Sequence, residues 1–305
     1  MESQRVLVTG GGGFIGANLA NKLAENNDVV ALDDGYLGTP ENVSEDVEYV
    51  EQSVLDDDLP TDVDVVFHLA ALSSYAMHED NPTHGARVNV EGFVNTVEQA
   101  RDDGCDTVVY ASTSSIYGSR TEPSPEDMDV TVNTGYEASK MARETYAEYF
   151  QNHYDLTLAG MRFFSVYQGY GGAEEHKGEY ANVIAQFADD LASGDAPKLY
   201  GDGEQTRDFT YVDDIVRGLV LAAEHELNGV YNLGTGEAYD FNTVVEMLND
   251  ELGTDIEPEY VENPIPEDVY VHDTCADFSR MHDATGWEPE ISFEEGIELV
   301  CAPYT

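Results

Sequence analysis

Along the first half of the chain, short unbroken apolar runs alternate with longer segments whose apolar residues recur every three or four positions. The runs at 6–8, 29–32, 47–50, 63–69, 107–110 and 156–164 predict six strands. Little polar alternation interrupts them, as expected of strands covered on both faces. Between them the helical period predicts helices over 14–25, 82–101 and 136–153, with Val88, Phe93, Val94 and Val97 forming the apolar stripe of the second. Strands alternating with helices imply an α/β fold with a doubly wound parallel sheet and right-handed crossovers. Beyond Phe164 the texture changes. Residues 169–178 are glycine-rich and read as a flexible loop, a helix is expected near 180–192, and shorter elements with more proline follow. This predicts a sheet domain over 1–165, rejoined by 212–233, and a smaller mixed C-terminal substrate domain over 166–211 and 234–305. The chain has no internal repeat and no low-complexity tract.

The first strand runs directly into Gly10-Gly11-Gly12-Gly13-Phe14-Ile15-Gly16. Gly10, Gly13 and Gly16 are spaced three apart, and glycine permits a tight turn and close approach of backbone to a ligand. The free N–H groups and positive dipole end of the following helix would then face an anion such as a pyrophosphate. The second strand ends in Asp33 and Asp34. An acid there can accept hydrogen bonds from an adenosine ribose and would repel a 2′-phosphate. The pattern therefore predicts a Rossmann-type dinucleotide site that takes NAD in preference to NADP.

Charge changes the picture of the surroundings. The chain of 305 residues carries 62 acids and 13 bases, a net charge of −49, with the acids spread through the apolar pattern. A folded chain of this size exposes on the order of 13,000 Å², or roughly one net negative charge per 260 Å² at a spacing of about 16 Å. The Debye length is about 8 Å at physiological salt and about 3 Å at 1 M. Self-repulsion is then appreciable in dilute buffer and screened in molar salt. The expectation is a protein adapted to a high-salt cytoplasm, whose unfolding midpoint rises steeply with KCl. The same charge argues against nucleic acid and anionic membrane as partners. Cys105, Cys275 and Cys301 lack paired spacing, so free buried thiols are expected, with neither a disulfide framework nor a metal site. The N-terminus has no apolar signal region and no stretch has the length of a membrane span, which points to a cytoplasmic location.

Candidate chemistry gathers where ligands bind on such sheets, at the carboxyl ends of the strands. The strand at 107–110 leads into Ser112-Thr113-Ser114-Ser115-Ile116-Tyr117-Gly118. Tyr136 and Lys140 are four residues apart and share one helix face. Taken singly, a hydroxyl cluster also suits a polar loop, and a Tyr/Lys pair also suits a helix surface. His68 reads as a packed strand residue, and Asp56 reads equally as a solvated acid or as a group reaching an adenine edge.

Taken together, the glycine turn, His68-Leu69-Ala70-Ala71, the Ser/Thr run before Tyr117-Gly118 and Tyr136-x-x-x-Lys140 resemble an extended short-chain dehydrogenase/reductase. The likeness continues through Arg162-Phe163-Phe164-Ser165-Val166-Tyr167, through Tyr200-Gly201-Asp202-Gly203-Glu204-Gln205-Thr206-Arg207-Asp208-Phe209, and to Gly286-Trp287-Glu288-Pro289. It covers essentially the whole chain and is nearest the UDP-glucose 4-epimerases of the NAD-dependent epimerase/dehydratase group. The resemblance implies Tyr136 as the base on a sugar 4-hydroxyl, favoured as phenolate by the cations of Lys140 and the oxidised nicotinamide, with Thr113 bonding the reacting oxygen. It implies cofactor contacts from Gly10, Gly13, Phe14, Ile15, Gly16, Asp33, Asp56, Leu69, Ala70, Ala71, Asn89, Tyr136 and Lys140. It implies a nucleotide-diphosphate sugar as partner, held by Ser74, Ser114, Ser165, Asn182, Tyr200 and Arg207. Two departures stand out: Ser165 replaces a common Asn, and Glu267 falls where many relatives place a second phosphate-binding Arg. Relatives that dehydrate or decarboxylate carry acids just after the catalytic Ser/Thr, whereas this chain has Ser114 and Ser115. That favours a 4-epimerase. The other readings are an NAD-dependent dehydrogenase or keto-sugar reductase of the same family and a non-catalytic NAD-binding regulator. A homodimer through the helices near 82–101 and 136–153 is a further implication of the family.

Overall fold

The computed structural model describes every residue except Asp80 and Asp268. Six strands, β1 (Arg5–Thr9), β2 (Asp28–Asp33), β3 (Glu48–Glu51), β4 (Val65–His68), β5 (Thr107–Ala111) and β6 (Thr157–Phe163), join the edge strand Gly229–Leu233 in one sheet. Every pairing is parallel, and the order is Gly229–Leu233, β6, β5, β4, β1, β2, β3. The chain leaves β1 toward β2 on one side and returns to β4 on the other, which opens a crevice at the carboxyl ends of β1 and β4.

Alternate residues of the central strands enter two separate cores. Val6, Val8, Val29, Ala31 and Phe67 face one side, and Leu7, Val30, Leu32, Val66 and Val108 face the other. Both faces are covered, as the unbroken apolar runs require. The first face packs on α1 (Phe14–Ala24), through Leu19 and Leu23, and on the helix Val212–Glu224, through Ile215 and Leu219.

The opposite face shows where periodicity misled. The helix expected over 82–101 is three pieces: Pro82–Ala86, a π-turn at Arg87–Glu91, and Gly92–Asp103. The π-turn places Asn89, fully buried, against the main chain of Leu72. Phe93 and Val97 of the last piece pack on the sheet beside Phe150 of the long helix Gly135–Tyr154. That helix opens with a capping box in which Thr134 and Glu137 satisfy each other's backbone N–H groups.

The segment expected to be flexible, 169–178, is tied down. Glu174 is fully buried, and its carboxylate accepts hydrogen bonds from the N–H groups of Gln168 (2.7 Å), Gly169 (2.9 Å) and Asn182 (2.7 Å). Beyond the sheet lie three two-stranded ladders. Asp208, also fully buried, binds their loops together by accepting from Thr235 N and Oγ1 (2.7 and 2.8 Å), Gly236 N (2.9 Å) and Ala276 N (2.9 Å). The three cysteines are free and buried. Among the described residues no helix is long and apolar enough to cross a membrane.

Candidate active site

A cleft follows the crevice from the glycine turn to Tyr136 and Lys140. The turn needs its glycines for two reasons. Gly10 has φ +69°, and a Cβ there would come within 2.7 Å of Ala70 N; at Gly16 a Cβ would lie 2.0 Å from Gly10 O. The turn is therefore closed on itself and on Ala70, leaving the N-terminus of α1 open to the cleft. At the end of β2, Asp33 is 7% exposed. Its carboxylate accepts from Gly12 N (3.1 Å) and Gly35 N (2.9 Å), while burial pushes its pKa up. Leu69, Ala70 and Ala71 form the wall above the turn, with Gln52 and Val54 behind Asp33.

At the other end, Thr113 caps the short 3-10 helix Ser114–Tyr117 by accepting from Ser115 N (3.2 Å), and its side chain also hydrogen-bonds the Tyr136 phenol. The turn that carries Thr113 is braced by Ser112, which donates to Glu144 (2.5 Å). Glu144 in turn receives a bidentate pair of bonds from Arg162 (2.9 and 2.7 Å). Lys140 Nζ donates to Ala111 O (3.2 Å). Beneath it, Arg143 is fully buried and donates to Asn89 O (2.6 Å), Ala70 O (2.7 Å) and Ala111 O (3.3 Å). One guanidinium thus links the ends of β4 and β5 to the π-turn.

These contacts alter the expected electrostatics. Burial pushes the Tyr136 phenol up; the Thr113 hydrogen bond and the Arg143 charge oppose it. Burial, reinforced by Arg143, holds the Lys140 ammonium well below its usual range. Arg143 itself is held down to about 10 by burial. Arg143 thus joins Lys140, whose ammonium lies 5.7 Å from the Tyr136 ring centroid, as a cation beside the phenol. Sequence reasoning passed over Arg143, although it continues the Tyr136-Lys140 stripe at helical spacing.

A second cavity lies among the ladders, lined by Tyr200, Gln205, Tyr270 and His272 together with the acids Asp202, Glu262 and Glu267. Among the described residues its lining holds no Lys or Arg. Arg207 stands behind it. Its guanidinium donates to Thr206 O (2.8 Å), His272 O (2.7 Å) and Val271 O, between the rings of Phe241 (5.7 Å) and Tyr270 (5.4 Å). The expected phosphate-binding charge is thus committed to main-chain carbonyls.

Other expected site residues are also engaged elsewhere. Asn89 spends its amide on Leu72, His78 and Ser139, behind the cleft wall. Asp56 is exposed and caps Ser53 N (3.1 Å), outside the cleft lining. Ser74 accepts from Met77 N (3.4 Å), and Asn182 caps the helix Val183–Ser193 while donating to Val166 O (3.1 Å). Ser165 carries φ +22°, on the edge of a region where Asn is enriched, and its carbonyl accepts from Thr210 N. Ser114 is buried at the start of the 3-10 helix.

The family model for the NAD-dependent epimerase/dehydratase family matches residues 6–234, the glycine turn and the Tyr136–Lys140 helix included. The chain belongs to this family. It is 36% identical to the UDP-glucose 4-epimerase of Mycolicibacterium smegmatis over 96% of both chains. It is 28% identical to UDP-glucuronic acid decarboxylase 3 of Arabidopsis thaliana, over 98% of this chain and 88% of that one. Among solved structures, the UDP-N-acetylglucosamine 4-epimerase from Methanobrevibacter ruminantium in complex with UDP-N-acetylmuramic acid superposes with a TM-score of 0.91 at 30% identity, covering 99% and 98% of the two chains. The Thermus thermophilus UDP-glucose 4-epimerase complex with NAD gives 0.87 at 30% identity, covering 98% of each.

NAD is the cofactor of this epimerase/dehydratase family, and the cleft suits it. A turn that no Cβ could enter opens onto a helix N-terminus, and a buried carboxyl closes the β2 end. Gln52, Val54 and Lys177 also line the cleft and were missed. Gln52 and Val54 directly follow β3, so the sheet order would have pointed to them once β3 was set beside β2.

Proposed function

We propose that this family member is an NAD-dependent nucleotide-sugar 4-epimerase, acting on UDP-glucose and UDP-galactose or a close relative through a transient 4-keto sugar. One observation carries the reading: Thr113, Tyr136 and Lys140 meet at one end of the cleft, and the acids lining that cleft are Asp33 and Asp34, at its far end. Glu144 is occupied by Arg162 and Ser112, and Glu137 by the cap of its helix. Among the described residues no lining carboxylate stands beside Tyr136 to abstract a second proton or assist elimination. This weighs against decarboxylase and dehydratase chemistry despite the decarboxylase relatives.

In this reading Tyr136 takes the proton from the sugar 4-hydroxyl and returns it after the ring has turned. Thr113 holds the reacting oxygen in line with the phenol. Arg143 offsets the burial that disfavours the phenolate. In the same reading Lys140 bonds the nicotinamide ribose, Asp33 the adenosine ribose, and the turn at Gly10, Gly13 and Gly16 the pyrophosphate. Bound NAD supplies a reversible hydride acceptor at the sugar C4. The helix Gly135–Tyr154 presents exposed Tyr146, Tyr149 and Tyr154, and together with Gly92–Asp103 it offers a surface that suits a homodimer. Incubation with UDP-glucose in molar KCl, followed by NMR and at 340 nm, tests the reading. UDP-galactose should form without accumulating NADH. Stoichiometric NADH would mark a dehydrogenase, and a UDP-pentose formed from UDP-glucuronate would mark a decarboxylase.

A further inference from the structure

Lys177 has no place in the mechanism above, yet it lines the cofactor cleft. It comes from the strap at 169–180, on the other side of the cleft from the sheet. Its ammonium sits 5.6 Å from the ring centroid of Phe14, the first residue of α1. Among the described residues it forms no ion pair and no side-chain hydrogen bond. Glu174, the acid whose charge acts on it, is committed to three backbone N–H groups. Those bonds fix the strap in place, and the left-handed Gly178 (φ +51°) kinks the turn just after the lysine. Burial pushes the Lys177 pKa down, opposed by the charge of Glu174.

We infer that Lys177 is a diphosphate-binding residue for the dinucleotide, reaching from the strap to the phosphates gathered at the N-terminus of α1. The two sources of positive potential are complementary. The helix end offers N–H groups from the sheet side, and the lysine offers a full charge from the strap. Lys140, the other lysine of the cleft, lies at the Tyr136 end and cannot serve the phosphates at the glycine turn. The strap then does more than border the substrate region: bound dinucleotide ties it to α1. This inference rests on the cofactor assignment of the cleft.

The test compares wild type, Lys177→Ala and Lys177→Arg in molar KCl, with calorimetric binding of NAD, ADP-ribose and adenosine. Lys177→Ala should weaken NAD and ADP-ribose by the same factor, roughly ten- to a hundredfold. Adenosine, which lacks phosphate, should bind unchanged, and Lys177→Arg should recover most of the loss. An equal loss for adenosine would mean a merely structural role, and unchanged NAD affinity would overturn the assignment outright. A loss confined to a UDP-sugar would move Lys177 to the substrate side and overturn it as well. If the wild type binds none of the three ligands, the cofactor reading fails first and the inference falls with it.

Discussion

The cofactor cleft and the second cavity treat positive charge in opposite ways. The cleft has Lys140 and Lys177 in its lining and Arg143 just beneath it, whereas the cavity around Tyr200 is lined by Asp202, Glu262 and Glu267. The two arginines nearest these sites make the contrast sharp. Each is held by three main-chain carbonyls, and neither forms an ion pair among the described residues. Arg207 sits in a motif that the family resemblance ties to a phosphate, yet three of its N–H bonds go to main-chain carbonyls of the fold. Arg143 sits in no motif, yet its charge reaches Tyr136. A motif therefore names a residue type at a position but does not say whether the charge there is available to a ligand.

The contrast can be broken experimentally, beginning with its largest consequence. Tyr136→Phe should cut turnover by about 10²- to 10⁴-fold while calorimetry finds NAD affinity nearly unchanged; a normal rate would remove Tyr136 as the base. Arg143→Met should move the pH profile. The phenolate is the reactive form and the guanidinium favours it, so without that charge the Tyr136 pKa rises. The limb on which kcat/KM climbs with pH should then shift upward, costing about tenfold in rate at neutral pH for a one-unit shift. Arg143→Lys should restore part of that shift, and an unmoved limb would leave Arg143 as a purely structural tie.

Arg207→Met probes the other side. Three carbonyls lose their donors, so the thermal midpoint should fall, by about 1–3 kcal/mol in stability, with the pH limb unmoved and the KM for a UDP-sugar changed little. A large rise in KM at unchanged stability would return Arg207 to the phosphate clamp. The smallest effect is expected from Glu267→Arg. A new exposed cation beside Tyr200 should lower the KM for a UDP-sugar a few-fold in dilute buffer and much less in molar KCl, because exposed charges are weak and screened.

Much of the cofactor side was legible in the sequence. Apolar runs marked the strands, and glycine spacing, Asp33 and the Tyr136–Lys140 step marked the cleft, since each depends on local rules of backbone and periodicity. The rest depended on non-local packing. A 3.6-residue pattern cannot report the extra residue of the π-turn at Arg87–Glu91, so the contact of Asn89 with the main chain of Leu72 was not legible. The glycines at 169–178 read as flexibility because composition does not report that the Glu174 carboxylate turns inward and takes the N–H groups of Gln168, Gly169 and Asn182. The bonds of Arg207 to the carbonyls of Val271 and His272 were not legible because those residues lie far along the chain.

Epimerisation itself is tested most directly with UDP-glucose deuterated at C4, followed by NMR with the holoenzyme in molar KCl. One cleft that removes and returns the same hydride predicts UDP-galactose with deuterium retained at C4 and no NADH accumulating at 340 nm. Deuterium appearing in free reduced cofactor, or lost to solvent, would contradict the account.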